Sequence, residues 1–108
     1  MRLLEEHRAW KRRRSVLQSG AVRARLRAAT ARHLAGVRVW IYGSLLDPER
    51  FGEASDIDLA VSHLPEGLTL EYLQSLLSSE AGREVDVCLI DTSRFREHIR
   101  ATGETWIP

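Results

Sequence analysis

The sequence predicts an α/β (α+β) fold with a small mixed sheet of about three to four strands flanked by helices. Apolar residues recur at helical spacing in the first third of the chain. Three short runs rich in apolar and β-branched residues follow, at residues 37–42, 57–61 and 84–90, and each is typical of a strand. A segment with helical periodicity lies between the last two strands, as in α/β and α+β domains.

A long helix is expected over residues 3–34, interrupted or kinked at Ser19-Gly20, because glycine is a poor helix former. We therefore divide the 108 residues into a basic N-terminal helical extension, residues 1–19, and one domain, residues 20–108. A single domain is all that this length predicts.

Charge is distributed unevenly along the chain. Residues 1–40 contain eleven Arg and Lys against two Glu, whereas residues 41–108 contain five Arg against thirteen Asp and Glu. A solvated basic helix face is the simplest explanation. A contact with nucleic acid or with an acidic partner is the alternative.

Several classes of protein are disfavoured by composition. No apolar run approaches the ~20 residues of a membrane span, and the charged start lacks the apolar core of a secretory signal. The single cysteine, Cys88, excludes an internal disulfide framework and a CxxC site. We expect a cytoplasmic protein that does not insert into a membrane.

The first predicted strand runs directly into Gly43-Ser44, and residues 45–55 are expected to form a loop or a short helical turn. The second strand reads "IDLAV". Its alternation places Ile57, Leu59 and Val61 on one face and the polar residues on the other.

The second half of the chain predicts two further helices. Thr69 is placed to cap a helix that Gly82 ends, with a buried stripe of Leu70, Leu73, Leu76 and Leu77. The last helix, over about residues 93–101, has Phe95 and Ile99 one turn apart. The tail "TWIP" is expected to fold back onto the core.

The topology is expected to gather three carboxylates. The second and third strands are joined by 22 residues that contain a helix, a length that suits a right-handed crossover between parallel strands. Parallel strands begin at the same edge, so Asp56 and Asp58 should lie near Asp86. An antiparallel first strand would bring Gly43-Ser44 to the same edge.

Bare carboxylates beside an apolar sheet are costly unless they share protons, pair with arginine or bind a cation. Magnesium is commonly held by one or two carboxylates together with substrate phosphates. A Gly-Ser bend lets backbone and hydroxyl groups approach a phosphate. Taken singly, the aspartates are also typical of an exposed strand edge, and the Gly-Ser bend is also typical of an ordinary turn. Together they predict a metal–nucleotide site.

The combined pattern resembles the minimal nucleotidyltransferases, the MNT group of the DNA polymerase β-like nucleotidyltransferase superfamily. The resemblance covers roughly residues 20–107 and is strongest at "YGSLLDPERFGEASDIDLAV" and "EVDVCLI". The family has a Gly-Ser pair after a strand, two aspartates one residue apart about ten residues later, and a third acidic residue in a strand. The resemblance implies a polymerase β-like nucleotidyltransferase fold.

The resemblance also implies transfer of AMP from ATP to a hydroxyl, with two Mg²⁺ ions. Asp56 and Asp58 would bind both ions, and Asp86 would bind the ion at the attacking hydroxyl and is a candidate acceptor of its proton. The phosphates would be held by Gly43 and Ser44. Many members carry arginine directly after this pair. Here leucine follows, and Arg50, the nearest arginine, is the candidate phosphate contact; its alternative is a surface residue.

The acceptor is expected to be another protein, since the chain holds the catalytic elements and little else. The family's commonest partner is a HEPN-domain toxin, so the resemblance implies an antitoxin that adenylylates a tyrosine of that partner. Two alternatives stay open. In the first, the chain has lost turnover and masks its partner as a binding module. In the second, it transfers nucleotide to RNA or a small molecule, with the arginine-rich helix as the RNA contact.

Overall fold

The computed structural model describes residues 2–108 as a mixed α+β fold. Among these residues, no helix combines the length and the apolar composition that crossing a membrane requires. In chain order the elements are α1 (Arg2–His33), β1 (Val39–Tyr42), a 3₁₀ helix (Gly43–Leu46), β2 (Ile57–Val61), α2 (Leu70–Ala81), β3 (Val85–Leu89), a second 3₁₀ helix (Ile90–Thr92), α3 (Arg96–Thr102) and β4 (Glu104–Trp106).

The strands form one sheet in the order β3-β2-β1-β4. β2 and β3 are parallel and are joined through α2, whereas β1 is antiparallel to both β2 and β4. The predicted small mixed sheet and the crossover between its second and third strands are therefore confirmed.

The two faces of the sheet are covered unequally. One face contributes Ile57, Leu59 and Val61 to the main core, which α1 and α2 complete. The opposite face carries a smaller cluster around Ala60, in which Ile99 of α3 packs. Because α3 is only seven residues long, helices cover less of this second face than of the first.

α1 runs through Ser19 and Gly20 as one helix, so the predicted interruption is wrong. Gly20 is exposed and a side chain there would meet nothing within 4 Å, so its cost is limited to helix propensity, about 1 kcal/mol. The Ser19 hydroxyl donates to the Val16 carbonyl at 2.9 Å within the helix. The basic extension and the domain therefore share one helix.

Over residues 3–33 of α1, whose side chains the structure describes, the buried residues all lie in the second half of the helix. They are Ser19, Val22, Leu26, Ala29 and Thr30. The first half extends beyond the core, which explains a radius of gyration of 15.2 Å, against about 13 Å for a compact domain of this length.

α2 has the ends that the sequence predicted. The Thr69 hydroxyl accepts a hydrogen bond from the Tyr72 N–H at 3.1 Å, and Gly82 ends the helix with φ 69°. Leu73 and Leu77 are fully buried, whereas the other two leucines of the predicted stripe are half-buried.

The last helix is shorter than predicted. α3 begins at Arg96, so Phe95 precedes it and is exposed, with the Arg94 guanidinium 4.9 Å from its ring centroid. The expectation that Phe95 lies within this helix, one turn before Ile99, is therefore wrong. The tail does return to the core as β4, where Trp106 is buried.

Leu26→Ala is expected to lower the free energy of unfolding by about 2–5 kcal/mol, because the leucine is fully buried between α1 and the sheet and its truncation leaves a cavity. Leu17→Ala, the same change at an exposed position of the same helix, should change it by less than about 0.5 kcal/mol. Urea unfolding followed by circular dichroism measures both; equal losses would contradict the assigned core.

Candidate functional site

Two aspartates lie side by side on the less covered face of the sheet. Asp58 of β2 and Asp86 of β3 are direct register partners, and side chains of partnered residues project on the same side. Tyr42, the last residue of β1, is the register partner of Asp58 on its other side. Three neighbouring strands therefore place a hydroxyl and two carboxyl groups in one row, next to the Gly43-Ser44 bend.

Asp56 lies just before β2 and is exposed. Its carboxyl group acts on Asp58 through charge, but among residues 2–108 no three His, Cys, Asp or Glu side chains are grouped closely enough to hold a metal ion together. The structure thus aligns two of the three predicted metal ligands in one register and does not assemble all three into a metal group. Metal binding by Asp56, Asp58 and Asp86 stays a prediction.

The site shifts the pKa of the Asp58 carboxyl group. Burial raises the pKa of this carboxyl above its ordinary value of 3.8, and repulsion from Asp86 and then from Asp56 raises it further. A desolvated carboxylate facing a second one is stabilised by a proton or by a hard cation. Carboxylate oxygens are the ligands that Mg²⁺ prefers, so the donor chemistry of the aligned pair fits the predicted ion.

Gly43 makes the close approach between the bend and the carboxylates possible. Its φ is +79°, in the region that side chains disfavour. A Cβ at this position would lie 2.6 Å from Oδ2 of Asp58. The glycine is therefore required twice, for the backbone conformation and for the space that the Asp58 carboxyl group occupies.

Ser44 ties the bend to the aspartate segment. Its hydroxyl donates a hydrogen bond to the Asp56 carbonyl at 2.9 Å, and its own carbonyl accepts from the Asp47 N–H at 3.0 Å. The hydroxyl proton that would serve a phosphate is thus engaged within the protein. Phosphate binding by Ser44 requires that this hydrogen bond be exchanged.

Arg50 lies on the loop that follows the bend. Its side chain is 87% exposed and its Nε is 3.5 Å from a carboxylate oxygen of Asp47, which agrees with the alternative of a surface residue. Leu45, at the position where the resemblance anticipates arginine, is fully buried in the core. The bend therefore uses this position for packing.

Tyr42 and Cys88 are site residues that sequence reasoning did not propose. The Tyr42 hydroxyl and the Cys88 Sγ are 3.6 Å apart. Burial, the contact with Cys88 and repulsion from Asp58 and Asp86 raise the pKa of Tyr42 well above its ordinary value of 10.0. Tyr42 therefore keeps its proton at neutral pH and can act as a hydrogen-bond donor beside the carboxylates. The antiparallel register of the first two strands is the signal that would have found it.

Arg83 fixes the loop that leads into Asp56. Its guanidinium donates hydrogen bonds to the carbonyls of Gly52 and Ser55, and it lies over the ring of the buried Phe51, 4.6 Å from the centroid. These contacts span about thirty residues, so no local sequence pattern indicates them. Arg83 is a positioning residue for the aspartate segment.

A groove beside α1 lies apart from this cluster. A groove of about 470 Å³ runs along the first half of α1, and no aspartate lines it. Its lining residues are Ala9, Arg12, Arg13, Val16, Leu17 and Glu49. The carboxylates belong to an open sheet surface, so their assignment rests on register and charge.

Comparisons with protein-family models, with curated proteins and with solved structures found no match for this chain. The candidate site is therefore argued from its own geometry and from the motif.

Gly43→Ala is expected to destabilise the fold more than Gly36→Ala. Both glycines have φ +79°, but a Cβ at position 36 meets nothing within 4 Å, whereas at position 43 it collides with Asp58. The control should show the backbone cost alone, about 1–2 kcal/mol, and Gly43→Ala a larger loss. Urea unfolding of the two variants tests this. An equal loss of unfolding free energy in both would show that the Asp58 side chain moves away from the new Cβ at no cost.

Asp58→Asn is expected to raise the free energy of unfolding at pH 7. The folded protein binds the Asp58 proton more tightly than the unfolded chain, so the acid stabilises the fold below pH 3.8, and this contribution is lost as pH rises through the raised pKa. The gain should therefore shrink as pH falls towards 3.8. Urea unfolding over a pH series measures it.

Asp91→Asn is the matched control for this titration. Asp91 is exposed and lies 3.1 Å from Arg100, so its loss should change the unfolding free energy by at most about 1 kcal/mol. An Asp58→Asn variant that is less stable than the wild type at pH 7 would contradict the assigned repulsion.

Proposed function

We propose that the chain is a nucleotidyltransferase of the minimal type, which transfers AMP from Mg²⁺–ATP to a hydroxyl group and releases pyrophosphate and the hydroxyl proton. The single observation that carries the proposal is the alignment of Asp58 with Asp86 beside the Gly43-Ser44 bend. A half-buried carboxylate beside a second, exposed one, next to a glycine bend, suits a metal-bound triphosphate better than it suits an apolar ligand. The sequence motif, read as a resemblance, gives the reaction class.

Each residue has a defined part in this proposal. Asp58 and Asp86 would hold magnesium, with Asp56 joining them from the segment before β2. The ion, when bound, supplies charge neutralisation for the triphosphate and activates the attacking hydroxyl. The backbone at Gly43 leaves room for the phosphates, and Ser44 would turn its hydroxyl from the Asp56 carbonyl to a phosphate oxygen.

The protonated Tyr42 hydroxyl and Arg83 complete the arrangement. Tyr42 stays a neutral donor because of its raised pKa and can donate to an oxygen of the substrate near the carboxylates. Arg83 holds the loop before Asp56 by its hydrogen bonds to backbone carbonyls, which keeps Asp56 at the start of β2, near Asp58. The acceptor proposed from the resemblance is a tyrosine of a HEPN-domain toxin, which makes this chain an antitoxin.

Replacement of both aligned carboxylates should abolish nucleotide binding. The Asp58→Asn, Asp86→Asn double variant is expected to lose Mg²⁺-dependent ATP binding by at least about a hundredfold, because it removes both charged ligands of the aligned pair that would hold the ion. Isothermal titration with ATP, in the presence and absence of Mg²⁺, measures this. Asp91→Asn removes one carboxylate outside the cluster and should bind as the wild type does.

Transfer itself is tested with the protein encoded by the adjacent reading frame. Co-expression should add the mass of one AMP to a tyrosine of that protein, and the double variant should leave it unmodified. Wild-type affinity in the double variant, or binding of ATP that does not respond to Mg²⁺, would overturn the proposal.

A second candidate function is a binding module that masks its partner without turnover. Two observations favour it: the three carboxylates do not form a metal group among the described residues, and the position after Ser44 holds a buried leucine instead of a phosphate-binding arginine. Growth rescue separates the two functions. A double variant that still protects cells from the partner toxin would support masking, and loss of protection would support transfer.

A further inference from the structure

The first half of α1 has an apolar side that the core of the domain does not cover. None of residues 3–18 is buried, yet this stretch holds three large apolar side chains at intervals of seven residues. Leu3 is 82% exposed, Trp10 48% and Leu17 75%. A spacing of seven places residues on one side of a helix, so these three form a continuous apolar line.

The line continues along the second half of the helix. Ala24 and Ala31 extend the interval of seven, and Ala21 and Ala28 lie four residues after Leu17 and Ala24; all four alanines are exposed. We call the side defined by Leu3, Trp10, Leu17, Ala21, Ala24 and Ala28 the outer seam.

The outer seam lies opposite the core side of α1, and at its edges Trp10 and Leu17 line grooves that Glu49 and Glu53 border. The core side chains of α1, which include Val22, Leu26 and Ala29, fall on the opposite side of a helix with 3.6 residues per turn. When a helix is apolar on two opposite sides, both sides are expected to pack against other residues. The core covers one side, and the outer seam is left for another molecule.

Charge around the outer seam selects the occupant. The positions that flank a heptad seam set the choice of partner through ion pairs. Here the flanks carry Lys11, Arg13, Arg25 and Arg27, with Glu6 as an acidic exception. Arg14 lies one turn from Trp10, beside the outer seam; its guanidinium is 5.4 Å from the ring centroid and also pairs with Glu53. A second copy of this chain would set basic flanks against basic flanks, which is unfavourable.

Nucleic acid would satisfy the arginines but not the leucines. Phosphates pair with basic side chains and leave large aliphatic groups in water, whereas burial of Leu3 and Leu17 requires an apolar surface. We propose that the outer seam of α1 binds an amphipathic helix of a partner protein, with an apolar stripe and acidic flanks. This inference does not depend on the proposed transferase activity, because none of its residues belongs to the carboxylate cluster.

The binding experiment uses the full chain and a synthetic probe. The probe is a fluorescein-labelled peptide of about four heptads with leucine at both seam positions and glutamate at both flanking positions; a second peptide carries lysine at the flanks. Fluorescence anisotropy should show binding of the acidic peptide, weakened by salt, and no binding of the basic one. Trp10 emission should shift to the blue on binding, since Trp40 and Trp106 are already buried.

Adjacent residues provide the matched variants. Leu17→Gln removes a seam side chain and is expected to raise Kd about tenfold or more. Val16→Gln changes its neighbour, which is also exposed but lies off the seam, and should change Kd by less than about twofold. Glutamine keeps helix propensity, and circular dichroism checks that both variants fold.

Any one of five outcomes would overturn the inference. The first two are that the acidic peptide does not bind and that the basic peptide binds as tightly as the acidic one. Val16→Gln weakens binding as much as Leu17→Gln, which would move the contact to the groove beside α1. The isolated chain forms a dimer that Leu17→Gln dissociates, which would make a second copy the occupant. A single-stranded RNA displaces the peptide and binds independently of Leu17, which would make the helix a phosphate-binding surface.

Discussion

The register between β2 and β3 is the constraint on which the candidate site depends. Ile57 and Leu59 must face the core that α1 and α2 complete, and their register partners Val85 and Val87 do the same. The pleat then directs the intervening residues of both strands to the other face, opposite each other. A slip of one residue in either strand would turn a carboxylate into the core. The apolar contacts that stabilise the sheet therefore also hold two like charges together.

Much of this arrangement follows from short sequence patterns. The alternation in "IDLAV" and "EVDVCLI" assigns the faces of both strands, and the length of the connection between them predicts a parallel pair. Thr69 and Gly82 mark the ends of α2 because capping depends on a few adjacent residues. The proximity of Asp58 to Asp86 and to the bend at Gly43 is the product of these local rules, so the sequence sufficed for it.

Features decided by distant contacts were out of reach. Arg83 braces the loop at Gly52 and Ser55 across a long stretch of chain, and nothing near it in the sequence indicates this. Gly20 remains helical because the buried residues after it hold α1 in place, which propensity alone does not weigh. The exact position of Asp56, outside a common group with the other two carboxylates, depends on loop geometry that strand periodicity does not describe.

The continuity of α1 through Gly20 couples the two ends of the molecule mechanically. Its second half is fixed under the sheet and its first half projects beyond it, so the direction of the projecting part is set by the phase of the helix. One residue inserted near Gly20 would rotate everything before it by about 100° about the axis and advance it by about 1.5 Å. The carboxylates would keep their positions, whereas a molecule bound to the first half of α1 would approach them from a different direction.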